Sequence, residues 1–199
     1  MKIRQSEVLA QIHERLPEPE RSHPLARGRF LAWDLAPEFK GLLFVAPLDD
    51  RHAGFGVSVR YEPMQAPLDV ISGIRSRPSE LAGPVATPLE LLARPRKRAW
   101  DVGDPRDLDE VAGHVSSHAE PWMRELACVP AMERWLRTSM TTPKATALAA
   151  LYVSQGLYEK AESVLRESRD AEGRPPAIRA MHDGEIQRVR DLASGGMSQ

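Results

Sequence analysis

The run Ala53-Gly54-Phe55-Gly56-Val57-Ser58-Val59-Arg60-Tyr61 decides the fold class. Phe55, Val57, Val59 and Tyr61 fall on one face, and Gly54, Gly56, Ser58 and Arg60 on the other. That period of two belongs to a strand with one covered side. A one-residue slip would turn every large group outward, so the pattern also pins the register. Upstream, Phe30 to Leu35 alternates with Leu31, Trp33 and Leu35 together, and Gly41 to Leu48 is almost continuously apolar. The second run reads as a strand covered on both faces. The connections over residues 36–40 and 49–52 are short, which predicts antiparallel neighbours. The expected sheet is a meander with the second strand in the middle, and Trp33, Phe44, Phe55, Val57 and Val59 are expected in its core.

Helical signals surround this sheet. Val8, Leu9, Ile12 and Leu16 have helical spacing over residues 5–16, and Pro17 and Pro19 end the run. Residues 17–28 read as a polar loop. Thr87-Pro88-Leu89-Glu90 combines an N-cap, a first-turn proline and a capping-box glutamate, predicting a short helix over 88–93. Prolines 63, 67, 78, 84, 88 and 95 break up residues 62–99. Trp100 is assigned to a short fourth strand. At residue 104 the chain turns helical: Asp104 caps, Pro105 takes the first helical position, and Leu108, Val111, Ala112, Val115, Ala119 and Trp122 form one stripe. Pro121 kinks this helix or starts a new segment. Pro130 opens another helix with Met132, Trp135 and Leu136 inward. Residues 143–168 read as a helical hairpin broken at Gln155-Gly156. A last helix over 175–193 carries Ile178, Met181, Ile186, Val189 and Leu192, and Gly195-Gly196 ends it. The expected fold is therefore α+β, an antiparallel three- or four-stranded meander packed with helices and followed by an all-helical C-terminal part. Residues 1–103 form the sheet region and 104–199 a helical region packed on it as one continuous domain.

Composition narrows the function classes. At 199 residues, 42% hydrophobic and 28% charged, the chain has the make-up of a globular protein. A formal net charge of −1 argues against a field that gathers nucleic acid. The single cysteine, Cys128, excludes an internal disulfide and a cysteine-based structural zinc site. Its apolar neighbours in Leu126-Ala127-Cys128-Val129 predict a buried, inert thiol. The N-terminal run Met1-Lys2-Ile3-Arg4-Gln5-Ser6-Glu7 lacks a signal peptide's apolar core, and no window is long and apolar enough for a membrane span. Cytoplasmic localisation is the expectation.

Two resemblances follow from these residues. Residues 147–165, with small residues in the first helix and the Gln155-Gly156-Leu157-Tyr158 turn before Glu159-Lys160-Ala161, resemble a single tetratricopeptide-type helix pair. No second copy is present in the sequence, so the resemblance implies a local packing solution rather than an array. The larger pattern of helix, meander, tryptophan, aspartate-capped helix and helical tail is similar to small uncharacterised bacterial α+β domains. Some of those sit in toxin–immunity neighbourhoods, which implies a protein-binding role.

Several constellations bear on chemistry. His114 and His118 are four apart, a spacing zinc sites use, but the intervening Val115-Ser116-Ser117 lacks the glutamate of a zinc-protease helix. Asp49, Asp50 and His52 have the groups to hold a metal or to act as acid and base, or else to shape a turn. Gly54, Gly56 and Ser58 leave one strand face almost bare: either a helix packs closely there or the face lines a groove. Four positive charges occupy Arg94-Pro95-Arg96-Lys97-Arg98, and the acids of 101–110 balance them. Ser139, Ser154 and Ser163 lack a nucleophile-elbow context. No catalytic set, metal or cofactor is expected. The reading is a non-catalytic bacterial protein-binding domain, immunity-type or adaptor, with Gly54, Gly56, Ser58, Arg60 and Tyr158 as candidate partner-binding residues. The alternative is a hydrolase-like enzyme whose site gathers dispersed residues such as Asp49, His52, His114 and His118.

Overall fold

A computed structural model describes residues 4–17, 30–73, 85–93, 99–138 and 141–195, together with the backbone of 22–24. The expectations for Pro19, Pro78, Pro84, the basic run 94–98, Ser139 and Gly196 lie outside those residues. The fold is α+β, an antiparallel sheet accompanied by a helical C-terminal part. The chain divides into two compact units that interleave in sequence, Met1–Arg60 with Val85–Cys128, and Tyr61–Pro84 with Val129–Gln199. The expected boundary at residue 103 falls inside the first unit.

In the first unit, α1 (Gln5–His13) precedes strands β1 (Ser22–Pro24), β2 (Phe30–Ala36), β3 (Phe39–Pro47) and β4 (His52–Tyr61). The sheet order is β1-β2-β3-β4-β5, where β5 is Val85–Pro88, and β6 (Trp100–Asp101) also pairs with β4. The meander thus has its expected middle strand, β3, and Trp100 its expected strand. Strand β1 lies in what reads as a polar loop. It pairs with β2 through backbone groups (Ser22 opposite Trp33), and Ser22-His23-Pro24 offers no apolar alternation to signal it. Ala36 pairs with Phe39, so the β2–β3 turn is only Pro37-Glu38, with Glu38 at φ 66°. Proline followed by a positive φ is the signature of a type II turn.

The Leu48 amide donates to the His52 carbonyl at 2.9 Å. Continuing that register sets Ala46 opposite Gly54, Phe44 opposite Gly56 and Leu43 opposite Val57. The face carrying Leu31, Trp33, Leu43, Val45, Phe55, Val57 and Val59 is buried. Helices α1, α4 (Pro105–His114) and α5 (Glu120–Glu125) serve that layer: Trp100 meets Phe55 edge-on at 5.6 Å and His114 at 6.5 Å, and Met123 presses on Gly41. Phe44 does not join this core. It lies on the opposite face, edge-on to Phe30 at 6.4 Å, and is only half-buried. Helix α3 (Leu89–Ala93) begins one residue later than expected, because Thr87 and Pro88 still belong to β5.

Asp104 caps α4 by accepting from the Arg106 amide at 2.9 Å. Between α4 and α5 the helix widens into a π-turn over Val115–Ala119. The widened turn advances the chain by more residues per revolution than an α-turn. The inward phase therefore shifts by one residue: Met123 and Leu126 are buried, while Trp122, expected inward, is half-exposed.

In the second unit, a 3₁₀ turn (Glu62–Met64) leads into α2 (Gln65–Ser72), and α6 (Val129–Arg137), α7 (Thr142–Val153), α8 (Tyr158–Asp170) and α9 (Pro176–Gly195) follow later in the chain. Helix α7 is buried continuously from Ala145 to Val153 and packs against α2, α6, α8 and α9. A helix apolar all round belongs at such a centre. Its end is a left-handed cap: Gly156 has φ 74°, and the Leu157 amide reaches the Tyr152 carbonyl at 2.9 Å. Tyr152 ties α7 to α6 by donating to Glu133 and accepting from Arg137 at 2.7 Å. Arg188 of α9 donates to the Ile71 carbonyl at 2.8 Å, placing a cation at the negative end of α2.

Candidate functional site

The bare strand face opens into a groove in the first unit. Gly54 and Gly56 form its floor, with Phe44 and Ala46 of β3 on one side and Ala86 and Pro88 of β5 on the other. Its volume is about 280 Å³. The register explains the composition. Gly56 pairs with Pro88 and Ser58 with Ala86, so small side chains from three adjacent strands meet on one face. Leu48, 63% exposed, stands at one end. Glu90 of α3 lines the groove too, and its Oε2 is shielded from solvent without a hydrogen-bond partner.

The two glycines serve different ends. A Cβ on Gly56 would lie 2.1 Å from the Phe44 ring, so glycine there makes room for a neighbouring strand's aromatic group. The expectation of a closely packed helix is corrected at this point: what approaches Gly56 is Phe44. A Cβ on Gly54 would meet only the Ala46 carbonyl at 4.0 Å, so that position faces open space. Ser58 is fully buried and offers no accessible surface. Arg60 is half-buried. Tyr158, the first residue of α8, belongs to the second unit. The groove itself contains Gly54 and Gly56 of the expected set and adds Phe44, Ala86, Pro88 and Glu90. Sequence reading missed Glu90's place here because a first-turn glutamate is accounted for by helix capping alone.

The acid–base constellations resolve into local structure. Asp49 Oδ1 accepts from the amides of Arg51 and His52, both at 2.7 Å, and Oδ2 lies 2.9 Å from His52 Nδ1. These backbone donors, Arg51 first, pull the Asp49 carboxyl down to about 2. Arg51 also pairs with Asp101, which accepts from the Gly103 amide at 2.9 Å; that amide is the main cause of Asp101's lowered pKa. The cluster braces the β4–β6 corner. His114 and His118 meet edge-on, with ring centroids 5.7 Å apart. His114 Nε2 lies 3.4 Å from Glu110 Oε1, an ion-pair separation without hydrogen-bond alignment. His118 Nδ1 meets Ser117 Oγ at 2.7 Å. Among the described residues no three His, Cys, Asp or Glu side chains gather as a metal site. Cys128 is exposed rather than buried, since Leu126 takes the inward position and the helix ends there.

A buried polar group in the second unit had no sequence signal. His182 and Glu185 of α9 hydrogen-bond at 2.6 Å, and Thr146 of α7 donates to Glu185 Oε1 at 2.9 Å. A histidine and a glutamate three apart on a helix read as surface residues unless the facing helix is known. Among the described residues no helix is long and apolar enough to cross a membrane. No protein-family model matches the chain, and comparison with curated proteins and with solved structures finds no match either.

Proposed function

We propose that this chain is a non-catalytic polypeptide-binding domain, immunity-type or adaptor, that takes a segment of its partner in the groove over Gly54 and Gly56. The observation that carries the reading is the groove itself. It is a small-residue trough of about 280 Å³ on a sheet whose other face is covered by helices. Interaction sites on folded chains concentrate where apolar surface stays open and concave. Among the described residues strand β5 is the outermost strand on that side of the sheet order and forms an edge beside the trough. Extended peptides dock on such edges, with pockets for alternate side chains.

The test is selection of displayed peptides on the full chain, followed by calorimetry with the selected sequence. Gly54→Trp fills the trough at a position with free space, so the variant folds with an unchanged thermal midpoint and loses binding. Peptides that bind the variant as tightly as the parent place the interaction elsewhere and overturn the proposal.

A further inference from the structure

We draw no further inference here: the strongest candidate, the apolar trough over Gly54 and Gly56 between β3 and β5, belongs to the site already described, and nothing in the structure shows which side chain or surface covers it.

Discussion

His182 Nδ1 lies 2.6 Å from Glu185 Oε2, with both side chains closed to solvent inside the helical unit. Glu185 is also the acceptor for the Thr146 hydroxyl, so one carboxylate satisfies two buried donors on two helices. Two ion pairs locate this layer. Arg169 meets Asp183 and Arg190 meets Glu162, which fixes the antiparallel alignment of α8 and α9 and sets Ser168 level with residues 182–185. Replacing Glu185 by Ala strands the His182 N–H, while the Thr146 hydroxyl keeps the Thr142 carbonyl at 3.2 Å, and should cost about 1–3 kcal/mol in urea unfolding. Replacing His182 and Glu185 together by Leu and Met should be neutral or stabilising. A Glu185→Ala loss below about 1 kcal/mol would show that the carboxylate is not the hub of this layer.

Ser58 and Ser168 are buried, and neither hydroxyl has a hydrogen-bond partner. Each hydroxyl lost its water on folding and received nothing in return. Ser58→Ala and Ser168→Ala should therefore leave stability unchanged or raise it by up to about 1 kcal/mol. A thermal midpoint several degrees lower in either variant would reveal a partner for that hydroxyl in solution.

Gly56 and Phe44 should be energetically coupled. Gly56→Ala drives a methyl group into the ring and should cost about 1–3 kcal/mol. The same change made in a Phe44→Ala background should cost much less, because the obstacle is gone. The double-mutant cycle reads the difference directly. Additive effects would mean that the ring does not occupy the space above Gly56.

Glu38 holds a positive φ in the two-residue turn between β2 and β3. An L-residue there is strained by about 1–2 kcal/mol, and glycine is not. Glu38→Gly should raise the unfolding midpoint modestly, by about 0.5–1 kcal/mol in stability once the extra freedom of the unfolded glycine is counted. A destabilised variant would indicate that the Glu38 side chain contributes more than the backbone strain removes.

Asp49 supplies a pH dependence with a defined sign. Its carboxyl is lowered from 3.8 to about 2, first by the Arg51 amide and then by the His52 amide. The folded state thus favours the ionised form. Its contribution is fully present above the unfolded value and is lost as pH falls from near 4 toward 2. Asp49→Asn removes the titration while keeping an acceptor oxygen. The variant's stability should fall less steeply than the parent's across that window, followed by circular dichroism in acid titrations. Identical slopes would show that Asp49 is not held in its turn by those amides.

Much of the fold was legible in the sequence because one-sided burial writes a local period. The alternation at residues 53–61 and the helical stripes of α1 and α4 lie where the pattern puts them. Errors arose where the local geometry departed from its ideal. The π-turn at 115–119 moved Met123 rather than Trp122 inward, and the helix end at Leu126 left Cys128 exposed. Strand β1 was unreadable because its pairing uses backbone groups that every residue carries. The bare face of β4 was visible as Gly54, Gly56 and Ser58, but whether it met a helix, a ring or open space was not.

The sequence by itself determined the class of the fold, the order of its main strands and the faces they bury. Those depend on side-chain periodicity, which a single segment carries. Only the tertiary structure decided that Phe44 stands over Gly56, that Glu90 lines the same trough as Gly54, and that His182 and Glu185 share a buried layer with Thr146. Each of these joins residues on separate elements, and two of the three bridge more than thirty positions of chain, as Glu185 and Thr146 do at a separation of 39. Such meetings follow from how whole elements pack, and no local pattern encodes them.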